Sequence, residues 1–187
     1  YFDDASNNII TNCTINGSST SNLVGTIYFV RGTTTGNDNN IISNCSIGPE
    51  GTNLPFCSVY SAGASAAIVN DNNTITGCNI FDFFSAATIS YGIQLTSTGN
   101  SSWMFTNNKF YQTGSRTYTA ANTHPTISLG TGTGYIITGN TFGYATNSGT
   151  GAYSMLSTFD CRYIGIFATF SLSGTNRISN NTFRSFL

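Results

Sequence analysis

Five side chains of this sequence are of types that move protons or hold charge during catalysis: Asp82, Arg116, His124, Asp160 and Arg162. Cleaving a glycosidic bond takes one carboxyl group that donates a proton and a second carboxylate, and histidine exchanges protons near neutral pH. Asp82 and Asp160 stand 78 positions apart, and no local motif of a hydrolytic site surrounds either. The five make a site only if the fold gathers their segments. Otherwise they are solvated loop charges with occasional ion pairs.

Two further sets compete with them. Asp38 and Asp71 lie in Asn37-Asp38-Asn39-Asn40 and Asn70-Asp71-Asn72-Asn73. Stacked carboxylates among amide oxygens suit a hard cation such as calcium, yet Asp and Asn in such runs also make turns by bonding their own backbone. The aromatics Tyr111, Tyr118, Tyr153 and Tyr163 have faces that suit stacking on sugar rings, protein contact, or packing as a satellite core under loops. The single histidine and five cysteines, without a Cys-x-x-Cys pair, match no standard zinc spacing, and no cofactor is expected.

The scaffold that must position these residues is a repeat. Asn8-Ile9-Ile10-Thr11-Asn12-Cys13-Thr14-Ile15 returns five times, centred on Cys45, Cys78, Asn108, Asn140 and Asn181, at steps of 32, 33, 30, 32 and 41 residues. A period of this size marks a solenoid. Three positions before each centre stand Ile10, Ile42, Ile75, Phe105, Ile137 and Ile178, and two positions after stand Ile15, Ile47, Ile80, Phe110, Phe142 and Phe183. The position just before each centre is Asn or Gly in all six copies, the restriction that a left-handed backbone conformation imposes. Each copy therefore reads as strand, sharp bend, strand, with Cys13, Cys45, Cys78, Asn108, Asn140 and Asn181 turned inward as a structural ladder at about 4.8 Å per rung. The three cysteines are expected to be reduced and inaccessible, since neighbours on parallel rungs have poor disulfide geometry. Cys57 and Cys161 lie outside the ladder and are free to pair.

These columns resemble the right-handed parallel β-helix of pectate lyases, tailspikes and many bacterial surface proteins. The resemblance implies an all-β solenoid of about six coils over residues 1–187, with variable loops on one side. Lyases of that fold use Arg or Lys with calcium-holding acids and its hydrolases use grouped Asp, which is what would give Asp82, Arg116, His124, Asp160 and Arg162 a role. A second strand per coil is expected at 25–30, 66–69, 92–95, 126–129 and 167–172, and the loops 48–65, 81–91, 111–125 and 143–163 are expected to emerge together.

Composition narrows function. Charged residues are 7% of the chain against about 25% in ordinary soluble proteins, and the net charge is −1. No basic patch supports nucleic-acid binding, and no apolar run is long enough to span a membrane. Neither end reads as an amphipathic capping helix, so flanking protein of the same longer chain or assembly is expected at both ends. The expected role is a secreted or cell-surface structural or adhesive segment, part of a fibre, adhesin or spike, with a glycan as an allowed partner. The alternative is a polysaccharide lyase or glycoside hydrolase with an aromatic-lined cleft. A weaker alternative is an ice-binding solenoid, from the column Thr11, Ser43, Thr76, Thr106, Thr138 and Ser179.

Overall fold

The computed structural model describes residues 1–96 and 98–187. Its strands form three parallel sheets that run up a β-solenoid. The first sheet stacks β1 (Ile9–Thr11), β4 (Ile41–Ser43), β8 (Thr74–Thr76), β12 (Met104–Thr106), β16 (Ile136–Thr138) and β20 (Arg177–Ser179). The second stacks β2 (Thr14–Gly17), β5 (Ser46–Pro49), β9 (Asn79–Phe81), β13 (Lys109–Tyr111), β17 (Thr141–Gly143) and β21 (Thr182–Arg184). The third has five strands: β3 (Ile27–Phe29), β6 (Cys57–Ser61), β10 (Tyr91–Leu95), β15 (Asn122–Leu129) and β19 (Cys161–Ala168). Two short pairs sit at the corners, β7 (Asn70–Asp71) with β11 (Asn100–Ser101), and β14 (Arg116–Thr117) with β18 (Met155–Leu156).

The bend between the first two sheets follows the sequence pattern. Asn12, Asn44, Asn107 and Asn180 have φ of 56°, 52°, 56° and 56°, and Gly77 and Gly139 have 64° and 70°. Where glycine replaces asparagine, the bend asparagine of the preceding rung (Asn44 and Asn107, respectively) lays its side-chain oxygen over the bare Cα. In-register pairing then stacks Ile10, Ile42, Ile75, Phe105, Ile137 and Ile178 in one inward column. The four central members are 1% exposed or less, as are Ile47, Ile80, Phe110 and Phe142 in the column beyond the bend. Each such side chain contributes about 1.5–3 kcal/mol by leaving water. The outermost members depart from the expectation of a wholly buried column. Ile10 is only half-buried and Ile178 is 48% exposed, because no rung covers their outer side in the structure.

The inward ladder is a chain of hydrogen bonds. Asn108 N–H donates to Asn140 Oδ1 at 2.9 Å and Asn140 N–H to Asn181 Oδ1 at 2.9 Å, while each side-chain amide reaches back to a carbonyl of the previous rung at 2.8 Å. Cysteine fills the same slot with the same partners at longer range. Cys45 N–H donates to Cys78 Sγ at 3.5 Å, and Cys78 Sγ reaches the Ile42 carbonyl at 3.6 Å. Cys45 and Cys78 are buried, but Cys13 is exposed, which corrects the expectation that all three are inaccessible; it belongs to the outermost rung. All five thiols are free, so Cys57 and Cys161 do not pair.

A second ladder lies five residues before the first. Asn8, Asn40 and Asn73 bond in series through their side chains at 2.9 and 3.0 Å, and Asn40 and Asn73 also donate to Ala5 O and Asn37 O on the previous rung. Trp103 and Tyr135 continue this column and keep the donation, through Trp103 Nε1 to Asn70 O at 2.8 Å and Tyr135 OH to Asn100 O at 2.9 Å. One backbone acceptor per rung thus sets the requirement, and amide, indole or phenol meets it.

Several segment assignments change, among them 167–172, of which only Phe167 and Ala168 are strand, the end of β19. Residues 66–69 form no strand; the Ser65 hydroxyl holds the amides of Ala67 and Ile68 in a turn. The third-sheet strand of that coil is β6, inside the expected loop 48–65, where Val59 registers with Ile27 and Ile93. The expected loops 111–125 and 143–163 likewise contain β14 and β18 and the beginnings of β15 and β19. The unequal connections do gather on one edge, between the second and third sheets.

Candidate functional site

Four residues of the predicted site set meet inside the loop edge, in a polar network. Asp82 follows β9 with φ of 56°, which turns its carboxylate under the next loop. There it accepts from Thr113 N–H at 2.7 Å and from the Thr113 hydroxyl, and it pairs with Arg116 Nη2 at 2.5 Å; the two ionic side chains are 7% and 15% exposed. Arg116 Nε donates to Gln112 Oε1 at 2.7 Å, and Gln112 Nε2 donates to Phe83 O at 2.8 Å and faces Tyr153 OH at 3.4 Å. Tyr153 OH bonds His124 Nε2 at 2.7 Å, and His124 Nδ1 bonds Ser90 Oγ at 2.8 Å.

This network holds rather than reacts. His124 lies on β15, not in a loop, is fully buried, and stacks on Phe83 with centroids 5.2 Å apart and planes 4° apart. Burial first, and the Arg116 charge second, bring its pKa down to about 3, so the ring is a neutral donor and acceptor between two hydroxyls. A sealed histidine cannot exchange protons with a bound substrate, and an aspartate committed to an arginine and a threonine is not a free acid. Asp160 and Arg162 are exposed elsewhere, at the start of β19, so the five residues do not form one cluster.

The four tyrosines pack under the loops. Tyr111 is 7% exposed and stacks on Phe81, Tyr118 is 4% exposed against Phe84, and Tyr153 is completely buried. Tyr163 is half-buried, with its ring centroid 4.2 Å from that of Phe186 and its hydroxyl accepting from Thr126 Oγ1 at 3.0 Å. Burial raises the phenol pKa of all four, Tyr111 to about 12. Tyr111, Tyr118 and Tyr153 stand in the satellite core, and Tyr163 lines an open hollow with Met155 and Phe186.

Asp38 and Asp71 do lie on adjacent turns. Asp71 N–H donates to Asp38 Oδ1 at 2.9 Å, so the first carboxylate makes the turn of the second. Desolvation and then the Asp38 charge raise the pKa of Asp71. Among the described residues no group of three or more His, Cys, Asp or Glu is placed to hold a metal ion.

The Thr11 column faces outward, and its hydroxyls bond in pairs: Ser43 to Thr11 at 3.0 Å, Thr106 to Thr76 at 2.7 Å, and Thr138 with Ser179 at 3.0 Å. The outward column beside it is Ile9, Ile41, Thr74, Met104, Ile136 and Arg177, so a single hydroxyl row runs beside a mixed one.

A surface feature without a local sequence signal is the outer face of the third sheet. Tyr28, Tyr60, Gln94, Ser128 and Phe167 register as one row across all five strands. Along β15 and β19 three adjoining hollows make a trough. Asn122, Asp160 and Arg162 line its polar end, Tyr91, Pro125 and Ile164 its middle, and Gln94 and Thr131 its far end. Phe167, 50% exposed, borders both the middle and the far hollow. Among the described residues two buried polar atoms beneath opposite ends of the trough have no partner, Asn122 Nδ2 and Gln94 Oε1. Unpartnered buried groups are uncommon, because each forfeits its bonds to water. The trough surface itself presents the Phe167 ring between a polar end at Asp160 and Arg162 and a far end at Thr131, while the two unpartnered atoms lie beneath it. No family model matches this chain, and neither a curated protein nor a solved structure matches it.

Proposed function

We propose that this chain is a structural and adhesive segment of a secreted or cell-surface protein, a stiff β-solenoid spacer within a larger fibre, adhesin or spike. The observation that carries this reading is that one ladder pattern recurs from rung to rung. From Cys78 to Asn181 each inward residue accepts from the rung before it and reaches back to a carbonyl of that rung, with a longer bond at cysteine than at asparagine, so rungs add length without new side-chain solutions. With 7% charged residues, such segments abut with little repulsion.

The adhesive face is the trough of the third sheet, and its occupant is a glycan. A sugar ring presents C–H bonds to an aromatic face and hydroxyls that both donate and accept, which answers the exposed Phe167 ring and the Asp160 and Arg162 side chains at the polar end of the trough. A glycan array probed with the intact chain tests this. Binding that falls at least about tenfold in Phe167→Ala, with unchanged circular dichroism, is expected; no retained glycan, or binding indifferent to Phe167 and Gln94, rejects the adhesive part. The spacer part is tested separately by scattering from a tandem duplicate, which should lengthen one axis only. A carbohydrate-active reading keeps one specific support, Asp160 and Arg162 at the polar end of the trough. Release of reducing or unsaturated sugar ends that disappears in Asp160→Ala would favour it over adhesion.

A further inference from the structure

In the first coil a surface loop converges on one carboxylate. Within Gly32-Thr33-Thr34-Thr35-Gly36, the amides of Thr33, Thr34, Thr35 and Gly36 donate to Asp4 Oδ1 at 3.1, 3.3, 3.2 and 3.0 Å. Those of Thr33 and Thr34 also reach Oδ2 at 3.2 and 3.1 Å, and their hydroxyls bond Oδ2 at 2.9 and 2.8 Å. Successive backbone N–H groups pointed into one concavity form an anion nest. Its glycines keep it tight. A Cβ on Gly32 would run into Gly36 and the Asp4 carboxylate, and one on Gly36, at φ +83°, would strike the Val69 carbonyl. The bonds hold the Asp4 carboxyl well below the usual carboxylate range, the Thr34 hydroxyl most of all. Nothing in this donor set is particular to aspartate. Sulfate or phosphate offers the same acceptor oxygens with more charge.

Asp4 sits on a short strap. Phe2 N–H donates to Tyr28 O at 2.8 Å, Val30 N–H donates to Phe2 O at 2.9 Å, and the Phe2 ring lies on Phe29 with centroids 4.3 Å apart and planes 1° apart. Phe2 is 5% exposed. Residues 1–4 thus pair along the outer edge of β3, with Phe2 in parallel register with Phe29.

We propose that Gly32–Gly36 is an oxyanion-binding nest that Asp4 fills in cis, and that this plug keeps residues 1–4 closed over β3. When the carboxylate is withdrawn, the nest takes free sulfate or phosphate and the strap loosens from Phe29. The device is independent of the adhesive reading, since it involves neither the trough nor its lining residues.

Asp4→Ala in the whole chain tests it against wild type. Titration calorimetry with sodium sulfate and sodium phosphate, against sodium chloride at equal ionic strength, is combined with amide NMR. In Asp4→Ala, sulfate or phosphate binds saturably with shifts centred on the amides of Thr33 to Gly36, and amide exchange at Phe2 and Val30 is roughly tenfold faster than in wild type. Wild type shows no saturable binding at the same concentrations. Adding Thr34→Val to Asp4→Ala weakens the anion while leaving all four N–H groups in place. Absence of saturable binding, equal anion responses in the two proteins, or unchanged exchange at Phe2 would overturn the proposal. Should Asp4→Ala not fold, the isosteric Asp4→Asn must still show faster exchange at Phe2, and wild-type exchange there overturns it equally.

Discussion

The two edges that flank the second sheet bury polar groups by opposite means. At the bend edge, Asn108, Asn140 and Asn181 repeat one bond pattern, and each rung is a copy of its neighbour. At the loop edge, Asp82, Arg116, Gln112, Tyr153, His124 and Ser90 satisfy one another in a network with no two alike. Repetition tolerates substitution, as the cysteines show by filling the asparagine slot with longer bonds. A network of unique partners does not, because removing one member strands several others in a low-dielectric interior where they cannot regain water.

The comparison can be broken most directly at Asp82. Asp82→Ala leaves Arg116 and the Thr113 amide without their acceptor and is expected to cost about 3–5 kcal/mol in urea unfolding; a loss below about 1 kcal/mol would show the loop edge to be dispensable. Asn140→Ala, which orphans the Asn108 amide and the Phe105 carbonyl, should cost about 2–3 kcal/mol, with Asn140→Cys recovering part of it. Equal losses for the alanine and cysteine variants would mean that cysteine does not substitute functionally in the ladder. At the bend, Asn44→Val should lose about 1–3 kcal/mol while Asn44→Gly stays within about 1 kcal/mol of wild type, since φ there is 52°. Matching melting temperatures for these two would remove the conformational reason for the Asn/Gly column.

Acid sharpens the contrast next. His124 has a folded pKa of about 3 against an ordinary value near 6.5, so between those values the unfolded chain binds a proton that the folded chain refuses. Its contribution is complete above about pH 6.5 and is lost progressively as pH falls toward 3. Melting followed from pH 6.5 to 5 should therefore fall more steeply in wild type than in His124→Gln, and parallel curves would contradict a buried neutral ring. Smallest of all is a chemical readout without a stability change. A thiol reagent at neutral pH should modify Cys13 in the native protein while sparing Cys45, Cys57 and Cys78, the last with its pKa pushed up to about 11 by burial.

The bend edge was legible in the sequence because it is periodic. Isoleucine and phenylalanine at fixed offsets from an Asn/Gly bend define face, register and rung order together. The second ladder was legible in principle by the same offset, five residues before the first, although the change from Asn73 to Trp103 and Tyr135 hides it from a search for identical residues. The loop edge was not. Ala66-Ala67-Ile68-Val69 has the composition of a strand, yet the strand of that coil is Cys57–Ser61, where Val59 follows Cys45 by 14 residues as Ile27 follows Cys13; in later coils the offset grows, to 19 from Asn108 to Ile127 and 26 from Asn140 to Ile166, so no fixed spacing marks this sheet.

By itself, then, the sequence determined the parallel solenoid, the left-handed bend, the buried columns and the inward Asn and Cys ladder. Each of these depends on conformational preference within a few residues and on repetition at nearly constant spacing. Only the tertiary structure decided that Asp82 meets Arg116, that His124 is sealed between Ser90 and Tyr153, that Tyr111, Tyr118 and Tyr153 pack inward, and that Gln94 and Asn122 keep polar atoms beneath a trough with no partner among the described residues. Those outcomes depend on how loops of unequal length close over neighbouring coils. A contact made across 34 residues through such loops has no local conformational signature to read.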